Sequence, residues 1–102
     1  MIWGWDDLEL EGRLQALEVV ENKGRDNLVA IARVFHPLAD WAWYIVGGDI
    51  DPDDGDIEFY GLVFSPYEPD GVMGYFTLSQ MEEMPLIVDS KFKPTPIPEI
   101  AP

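Results

Sequence analysis

The chain is 102 residues long with 47% apolar and 13% aromatic residues, a composition that predicts one folded domain around one hydrophobic core. The absence of cysteine excludes disulfides and thiolate metal sites. Because no stretch resembles a signal peptide or a bilayer-spanning segment, we also expect a cytoplasmic protein. The net charge is −14, and residues 34–90 contain twelve acidic side chains and no Lys or Arg. This charge disfavours direct binding to nucleic acid or to anionic membranes and indicates a basic partner.

The first predicted element is an N-terminal helix over about residues 7–22. Leu10, Leu14 and Leu17 recur at helical spacing, and Asp6 or Asp7 could cap the start of the helix. Gly24 would end it.

Four runs rich in β-branched and aromatic residues follow, and turn-forming residues separate them. They cover residues 28–35, 41–46, 57–64 and 72–77. Because the connections are short, we expect an antiparallel meander. Helices should cover one face of the sheet. The other face has Tyr44, Tyr60 and Tyr75 as candidates and is either covered by the N-terminus and the tail or exposed as a binding surface.

After the last strand, the capping box from Ser79 to Glu82 predicts a short helix that Pro85 ends. The tail, residues 91–102, has prolines at nearly every second position from Pro94 onward, and we expect it to be extended and not helical. The predicted fold is therefore a single α+β domain over residues 1–102. It has a four-stranded antiparallel meander, an N-terminal helix, a short helix after the last strand and an extended Pro-rich C-terminal tail.

Several motifs occur in a specific order along residues 10–100. They are Val34-Phe-His-Pro, Trp41-Ala-Trp-Tyr, Asp51-Pro-Asp-Asp-Gly-Asp-Ile-Glu-Phe-Tyr-Gly-Leu and Gly74-Tyr-Phe-Thr-Leu-Ser-Gln-Met-Glu-Glu. In this order they resemble an uncharacterised domain-of-unknown-function family of small acidic proteins found on bacterial plasmids, integrated elements and phages. The resemblance implies a similar fold and a bacterial or phage-infected host cell, but no activity. Val46-Gly-Gly stands where that family usually has Thr-Glu, so no role is carried over for that glutamate.

The sequence offers few residues for catalysis, and we expect no enzymatic activity and no cofactor. His36 is the single histidine and precedes Pro37 in a predicted turn, so we interpret it as structural or solvent-facing. Gly47-Gly48 leads into aspartates that would repel a phosphate, and no other phosphate-binding loop is present.

The densest feature is an acidic loop with six carboxylates in ten residues. They are Asp49, Asp51, Asp53, Asp54, Asp56 and Glu58. Three interpretations are open: a solvated turn whose charges prevent aggregation, a protein-binding patch, and a hard-cation site at Asp49, Asp51 and Asp53. An EF-hand beginning at Asp49 would need Gly at Asp54 and Glu at Tyr60, so that pattern fails.

Two pairs of tryptophans are further candidates. Trp41 and Trp43 share a face of their strand and are expected in the core. Trp3 and Trp5 share a face if the N-terminus is extended, and they are possible anchors for a partner if exposed.

The leading hypothesis is a non-enzymatic acidic protein-binding domain that imitates a nucleic acid and inhibits a DNA-acting host protein, such as a restriction or CRISPR effector, for a mobile element. The predicted contacts are Asp49, Asp51, Asp53, Asp54, Asp56, Glu58, Glu68 and Asp70. One alternative is a divalent-metal-binding domain centred on the acidic loop, and another is an accessory subunit that docks through exposed aromatics. We expect a monomer or a homodimer.

Overall fold

The computed structural model describes all residues from Met1 to Pro102 and has an α+β fold dominated by strands. The strands are β1 (Ile2–Trp3), β2 (Val29–Ala30), β3 (Ala32–Phe35), β4 (Ala42–Ile50), β5 (Ile57–Ser65), β6 (Glu68–Thr77), β7 (Leu86–Val88) and β8 (Thr95–Pro96). The α-helices are α1 (Leu17–Glu21), α2 (Leu78–Glu82) and α3 (Ile97–Ile100). All three helices are short, so the sheet supplies most of the framework.

The main sheet has six strands in the order β1-β7-β3-β4-β5-β6, not the four that the sequence predicts. The predicted meander is its larger part, since β3, β4, β5 and β6 pair in succession and antiparallel. The sheet is extended by β7, antiparallel to β3, and by β1, parallel to β7. Both added strands have only two or three residues, too few for a periodic pattern to mark them. The first predicted run is divided at Ile31, so that β2 pairs with β8 in a separate two-stranded sheet.

The predicted N-terminal helix is wrong except for its last part. Two 3₁₀ turns, Trp5–Leu8 and Leu10–Gly12, precede the five-residue α1. Between the turns, Glu9 adopts a left-handed conformation at φ 50°. Leu10 is buried in one core and Val20 in another. A single straight helix would lie on one face of the sheet and could not bring Leu10 to one face and Val20 to the other. The helix is therefore interrupted between them.

Both faces of the sheet are covered. On the first face the 3₁₀ turns and α2 join the sheet in a core of twelve buried residues, with Phe59 and Ile45 among the most buried. On the second face α1, Leu28 and the tail join the sheet in a core of seven buried residues, including Val46 and Leu62. The sheet face that bears the tyrosines is covered by the tail at its Tyr44 end. There the ring centroids of Phe92 and Tyr44 are 5.7 Å apart.

The tail is not wholly extended, contrary to expectation. Pro98 lies in the first turn of α3, where its missing N–H costs nothing. Ile97 is fully buried in the second core. The apolar positions between the prolines therefore decide where the tail turns back onto the sheet.

The short helix after β6 is confirmed, but its capping residues are not those predicted. The Thr77 hydroxyl accepts from the Gln80 backbone N–H, and the Gln80 side chain accepts from the Thr77 backbone N–H. The capping box begins two residues earlier than Ser79 and leaves the Ser79 hydroxyl free to bind elsewhere.

Candidate functional site

The acidic loop connects β4 to β5 as the tip of the longest hairpin in the sheet. Asp51 closes the loop, since its N–H donates to the Asp56 carbonyl at 2.8 Å. Its carboxylate accepts from the Asp53 N–H, also at 2.8 Å. Gly55 takes φ 76°, a left-handed conformation that favours glycine. The loop is thus an ordered turn whose backbone its own aspartates hold in shape.

Asp56 fastens the loop to α2. Its two carboxylate oxygens accept from the Ser79 hydroxyl at 2.8 Å and from the Ser79 N–H at 3.0 Å. The hydroxyl hydrogen bond, followed by the bonds from the backbone N–H groups of Ser79 and Ile57, holds the pKa of Asp56 below its usual value of 3.8. Asp56 is therefore a structural carboxylate, committed to the fold.

Asp49 fastens the other side of the loop to α1. Its carboxylate accepts from the Leu17 N–H at 3.0 Å, and this N–H belongs to the first turn of α1, where no helical partner exists. The neighbouring Gly48 N–H donates to the Gln15 carbonyl at 2.9 Å. The loop is consequently held by both layers that cover the sheet.

The eight predicted contact residues do not form one cluster. Six occupy the β4–β5 hairpin, whereas Glu68 and Asp70 lie in the first part of β6. Glu68 lies opposite Ser65, seven residues along β5 from Glu58, so the two groups are separated by roughly 22–24 Å at the usual rise per residue. Within the hairpin, Asp53 and Glu58 are exposed, and their carboxylates accept none of the hydrogen bonds that shape it.

The fold places the acidic hairpin beside carboxylates that the sequence hypothesis left out. A cleft of about 520 Å³ is lined by Gly55 of the loop and by the 3₁₀ turns, with Glu9, Glu11 and the cationic Arg13 among its residues. A second cleft of about 550 Å³ contains Asp7 and Glu82. The two clefts share Trp5 and Asp6. We call these adjoining clefts the acidic groove. The only signal in the sequence was the acidic character of the first eleven residues.

Trp3 and Trp5 do not act as a pair on one extended strand. Trp3 belongs to β1 and is 58% exposed, so it is available to a partner. Trp5 begins the first 3₁₀ turn and packs edge-on against Phe59 with ring centroids 5.7 Å apart. Trp5 therefore supports the core while also lining the acidic groove, and only Trp3 has the exposure expected of an anchor. Trp41 and Trp43 stack at 5.6 Å and pack with the first core, as expected.

Most of the negative charge has no partner within the protein. The single ion pair joins Arg33 to Asp89 at 3.3 Å, so nineteen of the twenty carboxylates in the sequence lack a cationic group within 4.0 Å. Arg13 and Arg25 donate to backbone carbonyls. The cations of the chain therefore do little to neutralise the acidic surface.

The geometry does not support a metal site or a special role for His36. No group of three or more His, Asp or Glu side chains is placed to hold a metal ion, so Asp49, Asp51 and Asp53 are not brought together as ligands. His36 accepts from the Leu38 N–H at 3.0 Å through Nδ1, which makes it part of its turn. None of the helices has both the length and the apolar character needed to cross a bilayer.

Comparison with known proteins adds no relative. A scan against protein-family models, a search of curated proteins and a search of solved structures each returned no match. The function has to be inferred from the surface itself.

Proposed function

We propose that this protein is a non-enzymatic acidic domain that binds a basic surface of another protein, one that normally faces nucleic acid. The observation that carries the proposal is the set of nineteen carboxylates without a cationic partner. A carboxylate surface of this kind repels anions and attracts Lys and Arg side chains. Complementary charge speeds encounter and selects partners.

The acidic hairpin is the proposed contact surface. Its backbone is held by hydrogen bonds to Asp49, Asp51 and Asp56, so its charges are presented on a rigid framework, as phosphates are on a duplex. Asp53 and Glu58 make the direct contacts, because neither carboxylate accepts a hydrogen bond within the hairpin. The carboxylates of the acidic groove extend the same surface.

The setting of the proposal comes from the family resemblance. In a bacterial or phage-infected cell, an imitation of nucleic acid would occupy the binding cleft of a DNA-acting host protein. A restriction enzyme or a CRISPR effector has the basic cleft that such a surface fits. The protein would then protect a mobile element by competition with DNA.

The test is affinity capture from bacterial lysate at about 0.1 M and about 0.5 M salt, where electrostatic attraction is screened to different degrees. Mass spectrometry identifies the retained proteins. We expect a nucleic-acid-binding protein at the lower salt, its loss at the higher salt, and its displacement by added DNA. Capture that is equally strong at both salt concentrations would contradict the proposal.

A charge-matched pair of variants separates the hairpin from general acidity. Asp53→Lys with Glu58→Lys reverses two exposed hairpin charges, and Asp26→Lys with Glu99→Lys makes the same change in net charge at two exposed residues outside the acidic groove. We expect the hairpin variant to lose the partner and the control to retain it. Equal losses in both variants would show that net charge alone matters.

The exposed Trp3 favours a second candidate function, an accessory subunit that docks through aromatics. Trp3 is 58% exposed and lies at the cleft that contains Glu82. Docking through its ring predicts association that survives about 0.5 M salt, because apolar contacts are little affected by screening. Trp3→Ala should abolish such association, whereas a partner lost in the hairpin variant instead would exclude this candidate.

A further inference from the structure

The edge of the main sheet at β6 is open. The strand has ten residues and lies outermost in the sheet, whereas the opposite edge, β1, has only two. No hydrogen bond outside the sheet ladder involves the backbone of residues 69–76. Proteins usually shorten, cover or charge such an edge, because its free N–H and C=O groups can pair with another strand.

The direction of the free backbone groups follows from the alternation of the antiparallel ladder. The Thr77 N–H donates to the Gln80 side chain and not to β5, and the register with β5 is uninterrupted from Thr77 back to Val72. Because N–H and C=O groups alternate sides along a strand, those of Tyr75 and Met73 also point away from β5. Two residues at the middle of β6 therefore offer donors and acceptors to an incoming strand.

Pro69 interrupts the first part of β6, and the side chains from Gly71 onward leave the edge accessible. Residues 71–77 contain no charge and no proline, the two features that most often block a strand edge. Tyr75 is 55% exposed and Val72 is 44% exposed, and their odd spacing places them on opposite faces of the sheet. An added strand could thus contact an apolar side chain on either face.

Carboxylates surround the open edge. Glu68 and Asp70 lie in the first part of β6, and Glu58 lies opposite Thr77 at the other end. Partial desolvation, followed by the negative charge of Glu21, raises the pKa of Tyr75 on the same strand. An extended segment lying along β6 would be flanked by negative charge at both ends.

We propose that β6 binds an extended, Lys- or Arg-bearing segment of a partner protein as an additional strand of the sheet. Main-chain hydrogen bonds to Met73 and Tyr75 would hold the segment, and the flanking carboxylates would select basic side chains. A second copy of this chain is the poorer occupant, because two β6 edges would bring like charges together between molecules of net charge −14. The inference rests on the proposed function, since it takes the basic partner from there and adds how that partner is held.

The test uses a defined probe, a ten-residue peptide of alternating lysine and valine, at about 0.05 M salt. Hydrogen exchange measured by NMR reports on individual amides. We expect the Met73 and Tyr75 amides to be slowed at least about tenfold by the peptide, as happens when a free N–H becomes hydrogen-bonded. The Val72 and Gly74 amides point towards β5 and serve as internal references. A peptide of alternating glutamate and valine should leave all four unchanged.

Met73→Pro removes one outward N–H without removing a bond to β5, and proline is tolerated on edge strands. We expect this variant to bind the lysine–valine peptide about tenfold more weakly, the effect of about one lost hydrogen bond. Met73→Ala keeps the N–H and should retain the affinity. If the proline variant does not fold, hydrogen exchange in the wild-type protein still tests the inference.

The outcomes separate this inference from the proposed function. A peptide that does not bind, or that binds without slowing Met73 and Tyr75, overturns the strand-addition inference. If the hairpin reversal still abolishes capture of a partner, the proposed function stands. Protection of both amides together with salt-independent capture supports strand addition and refutes the proposed function. Protection that appears without peptide and grows with protein concentration identifies the occupant as a second copy and overturns the basic-segment proposal.

Discussion

Replacement of Ile97 by alanine tests whether the Pro-rich tail is part of the second core. Ile97 is fully buried in the cluster that contains Leu28, Val46 and Leu62, and its N–H donates to the Leu28 carbonyl at 2.9 Å. The substitution keeps this backbone bond and removes three side-chain carbons. Any loss of stability therefore reports on packing.

The expected cost follows from the burial of the side chain. At about 0.8 kcal/mol per buried methylene, the transfer of three carbons accounts for about 2.4 kcal/mol. The cavity left among rigid neighbours raises the total to about 2–5 kcal/mol. A loss of about 3 kcal/mol would lower the Tm of a domain of this size by roughly 12–24 °C.

The assay is urea unfolding of the wild type and two variants, followed by tryptophan fluorescence. Glu99→Ala is the matched control, because Glu99 lies in the same helical turn and is exposed. Its effect should stay within about 0.5 kcal/mol. If Ile97→Ala also costs less than about 0.5 kcal/mol, the tail is not docked and the second face of the sheet is open.

Two further predictions concern the hairpin and its neighbouring strand. Because hydrogen bonds from Ser79 lower the pKa of Asp56 below 3.8 in the folded state, the folded state binds fewer protons there than the unfolded state. This contribution to stability is lost as the pH falls from about 4 through the depressed pKa. Acid unfolding should show Asp56→Asn to lack that part of the pH dependence, and identical curves would refute the role of the carboxylate. Gly61→Ala should disrupt the sheet, because its Cβ would lie 2.1 Å from the Tyr44 carbonyl oxygen. Gly74→Ala, in the paired position with no atom within 4 Å, should leave thermal unfolding nearly unchanged.

The candidate site was predictable only in part. Six closely spaced carboxylates identify the acidic hairpin directly, because a β-hairpin keeps sequence neighbours together. Which of them are free is not visible in the sequence. Asp56 is committed to Ser79 and Asp49 to Leu17, residues 23 and 32 positions away. Only the folded chain shows that, between Asp49 and Asp56, the Asp53 carboxylate is the one that accepts no hydrogen bond.

The acidic groove is likewise formed only when distant segments fold together. Its members come from the first thirteen residues, from the hairpin and from α2, and no local pattern connects these segments. Trp5 shows what the sequence leaves undecided, because a tryptophan is expected equally well in a core or at a binding surface. Its contact with Phe59 in β5 places it in the core, and its position between the two clefts gives it an exposed side as well.

The sequence by itself determined the properties that depend on composition and on short-range periodicity. These are the α+β class, the antiparallel succession from β3 to β6, the helix after β6 and the unbalanced negative charge. Each follows from which residues occur and how nearby ones alternate. The tertiary structure decided what depends on contacts between distant segments. It placed Leu10 and Val20 of the N-terminal segment in two different cores, added β7 and β1 to the sheet, and turned the tail back through Ile97. Burial of apolar surface outweighs local propensity in such short segments, since an isolated helical turn or two-residue strand has no stability of its own.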